Sequence, residues 1–253
     1  YSVDLGVSFE IDLWGKLRRA TEAARADMLA AEENRRTVIL SLVSAVATAY
    51  VNLLNLDRQL DISRLTVATR AESVRIFDLR FKGGVISEVE LQQVRSEYET
   101  ALVQVPLLEK EVAQQENNLS VLLGRNPGAI ARGGTLEKLT LPAIPAGLPS
   151  ELLERRPDIR QAEQQLISAN ARIGVAKAAF YPSISLTGLL GTASSGLSNL
   201  FSGAAKTWTY AAAVNQPIFT GGTLTGQLLV SEAQQRQALY GYQQAIQIAF
   251  AEV

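Results

Sequence analysis

Apolar and polar positions alternate without a miss over the first thirteen residues. Tyr1, Val3, Leu5, Val7, Phe9, Ile11 and Leu13 are apolar, whereas Ser2, Asp4, Gly6, Ser8, Glu10 and Asp12 are polar or small. A period of two predicts a β-strand over 1–13 with one greasy and one wet face. Strands of soluble domains average about 5–6 residues, but a tilted strand crossing a bilayer needs about 9–11. The pattern returns twice, less strictly. Ser183 to Leu190 sets Ile184 and Leu186 against Ser183, Ser185 and Thr187, and Trp208 to Ile218 sets Trp208, Tyr210, Ala212, Val214 and Ile218 against Thr209, Ala211, Ala213 and Asn215. Together they predict a β-hairpin over 180–220, with a Gly-, Ser- and Ala-rich outer loop at 191–207. Tyr1, Trp208 and Tyr210 sit where an interfacial aromatic belt would lie. An ordinary β-sandwich edge with one solvated face gives the same alternation; strand length and aromatic placement favour the membrane.

Between these strands the period changes. From Gly15 to Lys82 there is no Pro and no interior Gly, and a seven-residue ladder runs through Ile39, Val46, Leu53, Leu60, Val67, Val74 and Phe81. A companion set holds Leu42, Ala49, Leu56 and Phe77, interrupted by Ser63 and Arg70. Sustained heptads predict coiled-coil packing, and at 1.5 Å per residue a continuous helix here spans about 100 Å. Thr37 to Leu56 carries no charge, which meets the length rule for a transmembrane helix. Interspersed Thr, Ser and Asn, and a heptad continuing past both ends, favour a seam packed among other helices instead.

Gly83-Gly84 breaks the helix, and a second heptad follows through Leu91, Tyr98, Val105, Val112 and Leu119, with Val94, Ala101, Leu108 and Leu122 as companions. Two matching heptads around a two-glycine break predict an antiparallel helical hairpin over 14–125, with its tip at 83–90. Pro106 should kink the returning helix. Gly124 to Gly128 ends it, and 126–149 reads as irregular, with one short strand candidate at Leu136–Leu141. A further helix over 150–179 starts with Ser150 as N-cap. Shifting the chain by 207 positions lays Val7 on Val214, Gly15 on Gly222 and Leu17 on Leu224. The segment 221–253 therefore reads as the start of a second long helix, an internal repeat cut short. The chain opens and stops inside patterned segments, as a piece of a longer protein does.

Composition narrows the chemistry. The 253 residues hold no Cys and no His, which removes disulfides, thiolate nucleophiles, Cys/His zinc sites and every Ser-His-Asp triad. With 24 Lys plus Arg against 25 Asp plus Glu, the net charge of −1 argues against nucleic acid as a partner. The Glu154-Arg155-Arg156-Pro157-Asp158 cluster reads as a solvated helix start with local ion pairs, and Gly221-Gly222 as a strand-to-helix turn with no phosphate-loop pattern after it. No catalytic residue, metal site or cofactor is expected.

Several motifs, in one order, resemble a known family. Glu10-Ile11-Asp12-Leu13-Trp14-Gly15-Lys16, Leu123-Gly124-Arg125-Asn126-Pro127, the run from Glu154 to Glu163, the run from Ala176 to Leu186, and Gln216 to Gly222 are similar to the outer membrane factor family, the TolC and OprM type of efflux channel. The likeness is greatest to members serving transporters of the resistance-nodulation-division class. It implies a mainly α fold with membrane β-strands. Long antiparallel coiled-coil helices would form a periplasmic α-barrel, and each protomer of a homotrimer would give four strands to a transmembrane β-barrel in the outer membrane of a Gram-negative bacterium. It implies a passive conduit for small molecules such as drugs, working with a periplasmic adaptor (membrane fusion) protein and an inner-membrane transporter, with gate residues beyond Val253. On this reading Asp4, Glu10, Asp12 and Asn215 face the lumen, the apolar faces meet outer membrane lipid, and the tip Gly83, Gly84, Val85, Ile86, Ser87 and Glu88 docks the adaptor. Val85 and Ile86 would be exposed apolar knobs, with Ser87 and Glu90 forming a capping box. The competing reading is a soluble periplasmic coiled-coil adaptor or scaffold with a small β-domain. A carboxylate hydrolase finds no support in the spacing.

Overall fold

The computed structural model describes residues 1–140 and 151–252. The chain divides into two compact units, Tyr1–Thr37 with Gly147–Val253, and Val38–Ala146. In the first unit β1 (Ser2–Ile11), β2 (Ser183–Ala193) and β3 (Lys206–Asn215) form an antiparallel sheet in the order β1-β2-β3. Register aligns the alternation of the strands. Leu5 stands opposite Leu190 and Leu190 opposite Trp208, and likewise Phe9, Leu186 and Ala212, then Ile11, Ile184 and Val214. Directly paired residues share a face, so these rows make one apolar surface. The other face carries Asp4, Ser8 and Glu10 with Thr187, Ser185, Thr209 and Asn215. Leu189 is its one large apolar residue and lies over Gly6, where an added Cβ would stand 3.2 Å from Leu189 Cδ2.

β1 and β3 end before their alternation does. β1 stops at Ile11, and the carboxylate of Asp12 accepts from the backbone N–H groups of Leu17 at 3.0 Å and Arg18 at 2.9 Å. Asp12 therefore caps a helix start, a use of its carboxylate that parity along the strand cannot reveal. β3 stops at Asn215, since Pro217 has no N–H for a ladder. Ile218, expected on the strand, lies beyond it and is 95% exposed.

Helix α1 runs unbroken from Lys16 to Lys82, 67 residues. In the first unit Ala23, Ala26 and Ala30 of α1 and Ile159, Ser168 and Ala171 of α4 (Pro157–Ala178) are buried, with Arg172 bonded to Asp27 at 2.7 Å and Arg160 to Glu33 at 3.0 Å. Glu33 Oε1 also takes Arg36 at 3.1 Å, while its shielded Oε2 has no partner among the described residues. A five-residue helix α3 (Glu151–Arg155) precedes α4, so the helix expected over 150–179 is interrupted. Pro157 explains the break: it holds Arg156 extended (φ −75°, ψ 123°) and takes the first position of α4. The expected cap Ser150 lies outside the described residues. Helix α5 (Thr223–Glu252) packs along α4. Its start sits 207 residues after that of α1, and the glycines before the two helices both have positive φ, 76° at Gly15 and 84° at Gly222.

In the second unit the rest of α1 folds back on α2 (Glu88–Leu122) as an antiparallel hairpin. Asp78 with Arg95, Arg64 with Glu109, and Ala49 O with Gln115 Nε2 trace the two helices in opposite directions. Leu53, Leu60, Leu91 and Leu119 of the ladders are buried, whereas Ile39 and Phe81 at the ladder ends are exposed. Ser63, an interruption of the pattern, is half-buried, and Arg70, the other, reaches across to Glu97. Pro106 lies inside an uninterrupted α2. Residues 136–138 form a 3₁₀ turn, not a strand: with no strand beside it among the described residues, the backbone closes on itself, Lys138 N–H to Thr135 O at 3.1 Å. Leu141, at the end of the expected strand, lies outside the described residues.

Candidate functional site

Three places carry side chains beyond those the folding of the two units uses. The first is the sheet. On its apolar face Leu5, Val7, Phe9, Leu190, Trp208, Tyr210 and Val214 are all exposed, far more apolar surface than water tolerates in one patch. Trp208 stacks on Tyr210 with ring centroids 5.6 Å apart, at the loop end of β3. Tyr1 lies at the same end of the sheet, its backbone nitrogen donating to Ser194 O at 2.7 Å. On the opposite face stand Asp4, Glu10 and Asn215, whose carbonyl oxygen accepts from Ser183 Oγ at 3.4 Å. Glu10 is paired with Lys16 at 3.2 Å. Asp12 is set apart from this group by its capping role. At the helix end of the sheet Trp14 stacks on Tyr181 at 4.7 Å, and its indole N–H donates to Pro182 O at 2.8 Å, which ties the β1–α1 turn to the α4–β2 turn.

The second place is the hairpin tip. Helix α1 ends in a glycine cap: Val85 N–H donates to Arg80 O at 3.0 Å and Gly84 N–H to Phe81 O at 2.9 Å, with Gly84 at φ 73°. Ser87 then opens α2. Glu90 N–H donates to Ser87 Oγ at 3.3 Å, and Ser87 N–H to Glu90 Oε2 at 2.8 Å, a reciprocal capping box. These Ser87 hydrogen bonds, from backbone first and hydroxyl second, hold the Glu90 carboxyl below its ordinary pKa. Gly83 and Glu88 are exposed beside them. Val85 is 75% exposed, but Ile86 is half-buried. The second exposed knob is Val89, at 77%. The sequence pattern does not single it out, because a heptad does not fix which way the first turn of α2 faces after a reversal.

The third place, also unmarked by any sequence pattern, is the segment after α2. Arg132 makes a two-pronged ion pair with Asp57 at 2.7 and 3.0 Å and also meets Glu116. Its pKa is raised, first by the hydrogen bond to Asp57. Gly133 N–H donates to Tyr50 Oη at 2.9 Å, and Ile130 joins Ala49, Leu53 and Leu119 in the buried core. Next to this clamp is a cleft of about 350 Å³ between Leu54, Asp61 and Glu137. Among the described residues no group of His, Cys, Asp or Glu could hold a metal ion.

The model of the family described as "Outer membrane efflux protein" matches residues 1–125 and 148–253. The chain belongs to that family. Its relatives include the toluene efflux pump outer membrane protein TtgF of Pseudomonas putida, 40% identical over 254 residues, which are 100% of this chain and 53% of the relative. The cation efflux system protein CusC of Escherichia coli is 38% identical, over 100% of this chain and 55% of the relative. Among solved structures, the open state of the Neisseria gonorrhoeae MtrE outer membrane channel superposes with a TM-score of 0.87 at 34% identity, covering 100% of this chain and 58% of that one. The chain thus spans about half the length of the relatives it matches. Its mainly helical fold with a few long strands is that of outer membrane efflux channels, and the family's place is the outer membrane of Gram-negative bacteria.

Proposed function

We propose that the full-length protein is a passive outer-membrane conduit, the exit duct of a tripartite efflux system. The observation that carries this reading is the two-faced sheet. Its outer strands β1 and β3 each leave one edge unpaired among the described residues, and its apolar face is exposed. Such a sheet survives in lipid only when closed into a barrel, where every backbone group is paired. Closure needs further strands, which neighbouring copies in a homotrimer supply. Lipid then covers Val7, Phe9 and Val214, with Tyr1, Trp208 and Tyr210 at the interface, while Asp4, Glu10 and Asn215 line the lumen.

Helix α1 supports the same assembly. Of its apolar 18-residue stretch only 17% is buried, and Val38, Leu40, Val43 and Val51 are exposed. Helices of adjoining protomers, packed side by side as a periplasmic α-barrel, would cover them. The adaptor docks on the tip at Gly83, Gly84, Val85, Ser87 and Glu88, joined by Val89, and an inner-membrane transporter supplies the energy. Nothing in this arrangement asks for catalysis. The cargo is small molecules such as drugs, and a wide water-filled wall leaves the choice among them to the transporter.

Dye accumulation tests the reading. Cells lacking the gene for the full-length protein should retain a fluorescent efflux dye and clear it once the gene is restored. Equal retention in both strains contradicts an efflux duct.

A further inference from the structure

Lys206 is the one charged residue on the apolar face of the sheet among the described residues. It opens β3 at the loop end, opposite Thr192 of β2, which in turn stands opposite Val3. No ion-pair or hydrogen-bond partner of its ammonium is found among the described residues. The sequence offers none close by either, since Gly191 to Ala205 carries no charge. Two residues along on the same face, Trp208 is 69% exposed and stacked on Tyr210.

We propose that Lys206 and Trp208 form a binding site for the phosphate of an anionic lipid headgroup, in the leaflet at the loop end of the barrel. The inference rests on the membrane reading above. A lone cation on a lipid-facing surface is costly unless its head reaches an anion or water, and a lysine stem is long enough to carry the ammonium to headgroup level. Indole rings settle at that level, so Trp208 sets the depth at which Lys206 emerges. The ammonium brings three donors, all suited to phosphate oxygens. Lipid is favoured as the source because the site is continuous with the apolar face, which holds the acyl chains.

The test uses the full-length protein in detergent, with native mass spectrometry reading retained lipid. Wild type should hold phosphatidylglycerol in preference to phosphatidylcholine. Lys206→Gln should weaken that retention about fivefold, the effect expected of one basic residue at an anionic surface. Lys206→Arg should keep it. Equal retention by wild type and Lys206→Gln overturns the site, and so does displacement of the lipid by free glycerol 3-phosphate. Vesicle flotation separates the two levels: wild type that floats while Lys206→Gln keeps its lipid sinks this site alone, whereas wild type that fails to float sinks the membrane reading with it.

Discussion

Gly191 of β2 lies directly beneath the side chain of Asp4 on β1. A Cβ on Gly191 would fall inside van der Waals contact with Asp4 Oδ1 and with the Val3 carbonyl oxygen, and 2.9 Å from Asp4 Cα. Two of these atoms are backbone and cannot turn aside. Gly191→Ala is therefore expected to destabilise the sheet by about 1–3 kcal/mol, the usual range for overpacking. Gly188→Ala, with nothing within 4 Å of its new Cβ, should be tolerated. Melting temperatures of the two full-length variants check the contrast, and removal of the Asp4 side chain should rescue Gly191→Ala only in part.

Arg132 ties the segment after α2 to the helical hairpin. Arg132→Met leaves Asp57 and Glu116 facing each other without their cation. Breaking a fully buried pair costs about 3–5 kcal/mol; these groups keep some water, so about 2 kcal/mol is expected. Amide exchange at Gly133 reads it out. The Gly133 N–H should lose protection in the variant, while amides in the middle of α2 keep theirs.

The start of α4 should be acid-sensitive. Arg156 beside Asp158 holds that carboxyl below the ordinary value of 3.8, and also reaches Glu252 near the end of α5 at 2.7 Å. A depressed carboxyl pKa adds stability above the unfolded value, and that stability is lost as pH falls through the folded one. Protection of the first turn of α4 should hold from pH 8 to about pH 5 and decline below about pH 4. Arg156→Gln should lower protection at neutral pH and flatten the acid response, as seen by exchange rates corrected for intrinsic pH dependence.

At the hairpin tip, capping and docking should separate. Ser87→Ala removes the cap and costs about 1 kcal/mol of helix stability, with the exposed knobs in place. Val85→Asp combined with Val89→Asp leaves the cap intact and puts charge on both knobs. The double variant should bind the purified adaptor at least about tenfold more weakly, with Ser87→Ala much closer to wild type. Surface plasmon resonance on the immobilised full-length protein distinguishes them, and equal binding by all three proteins would move the docking surface elsewhere.

The elements with strong periods were legible in the sequence. The two faces of β1 follow from parity alone, and the pairing of α1 with α2 from two heptads around Gly83-Gly84. Element ends were less so. Asp12 keeps the parity of the strand, yet its carboxylate is used by the backbone of α1, because a cap is chosen by geometry at the turn. Pro157 was visible as a residue, but the break it makes before α4 depends on Arg156 being held extended. Arg132 was out of reach, since no local pattern links it to Asp57 across 75 positions. At the tip, Ile86 and Val89 exchanged roles because the phase of α2 is set by the Ser87 cap.

The mass of the full-length protein in solution bears most directly on the conduit. Light scattering should give a trimer in detergent and aggregation when detergent is withdrawn, as exposed faces such as that of Leu5, Phe9 and Trp208 demand. A monomer or dimer that stays soluble without detergent would contradict the shared barrel, and the long hairpin would then have to belong to a soluble scaffold.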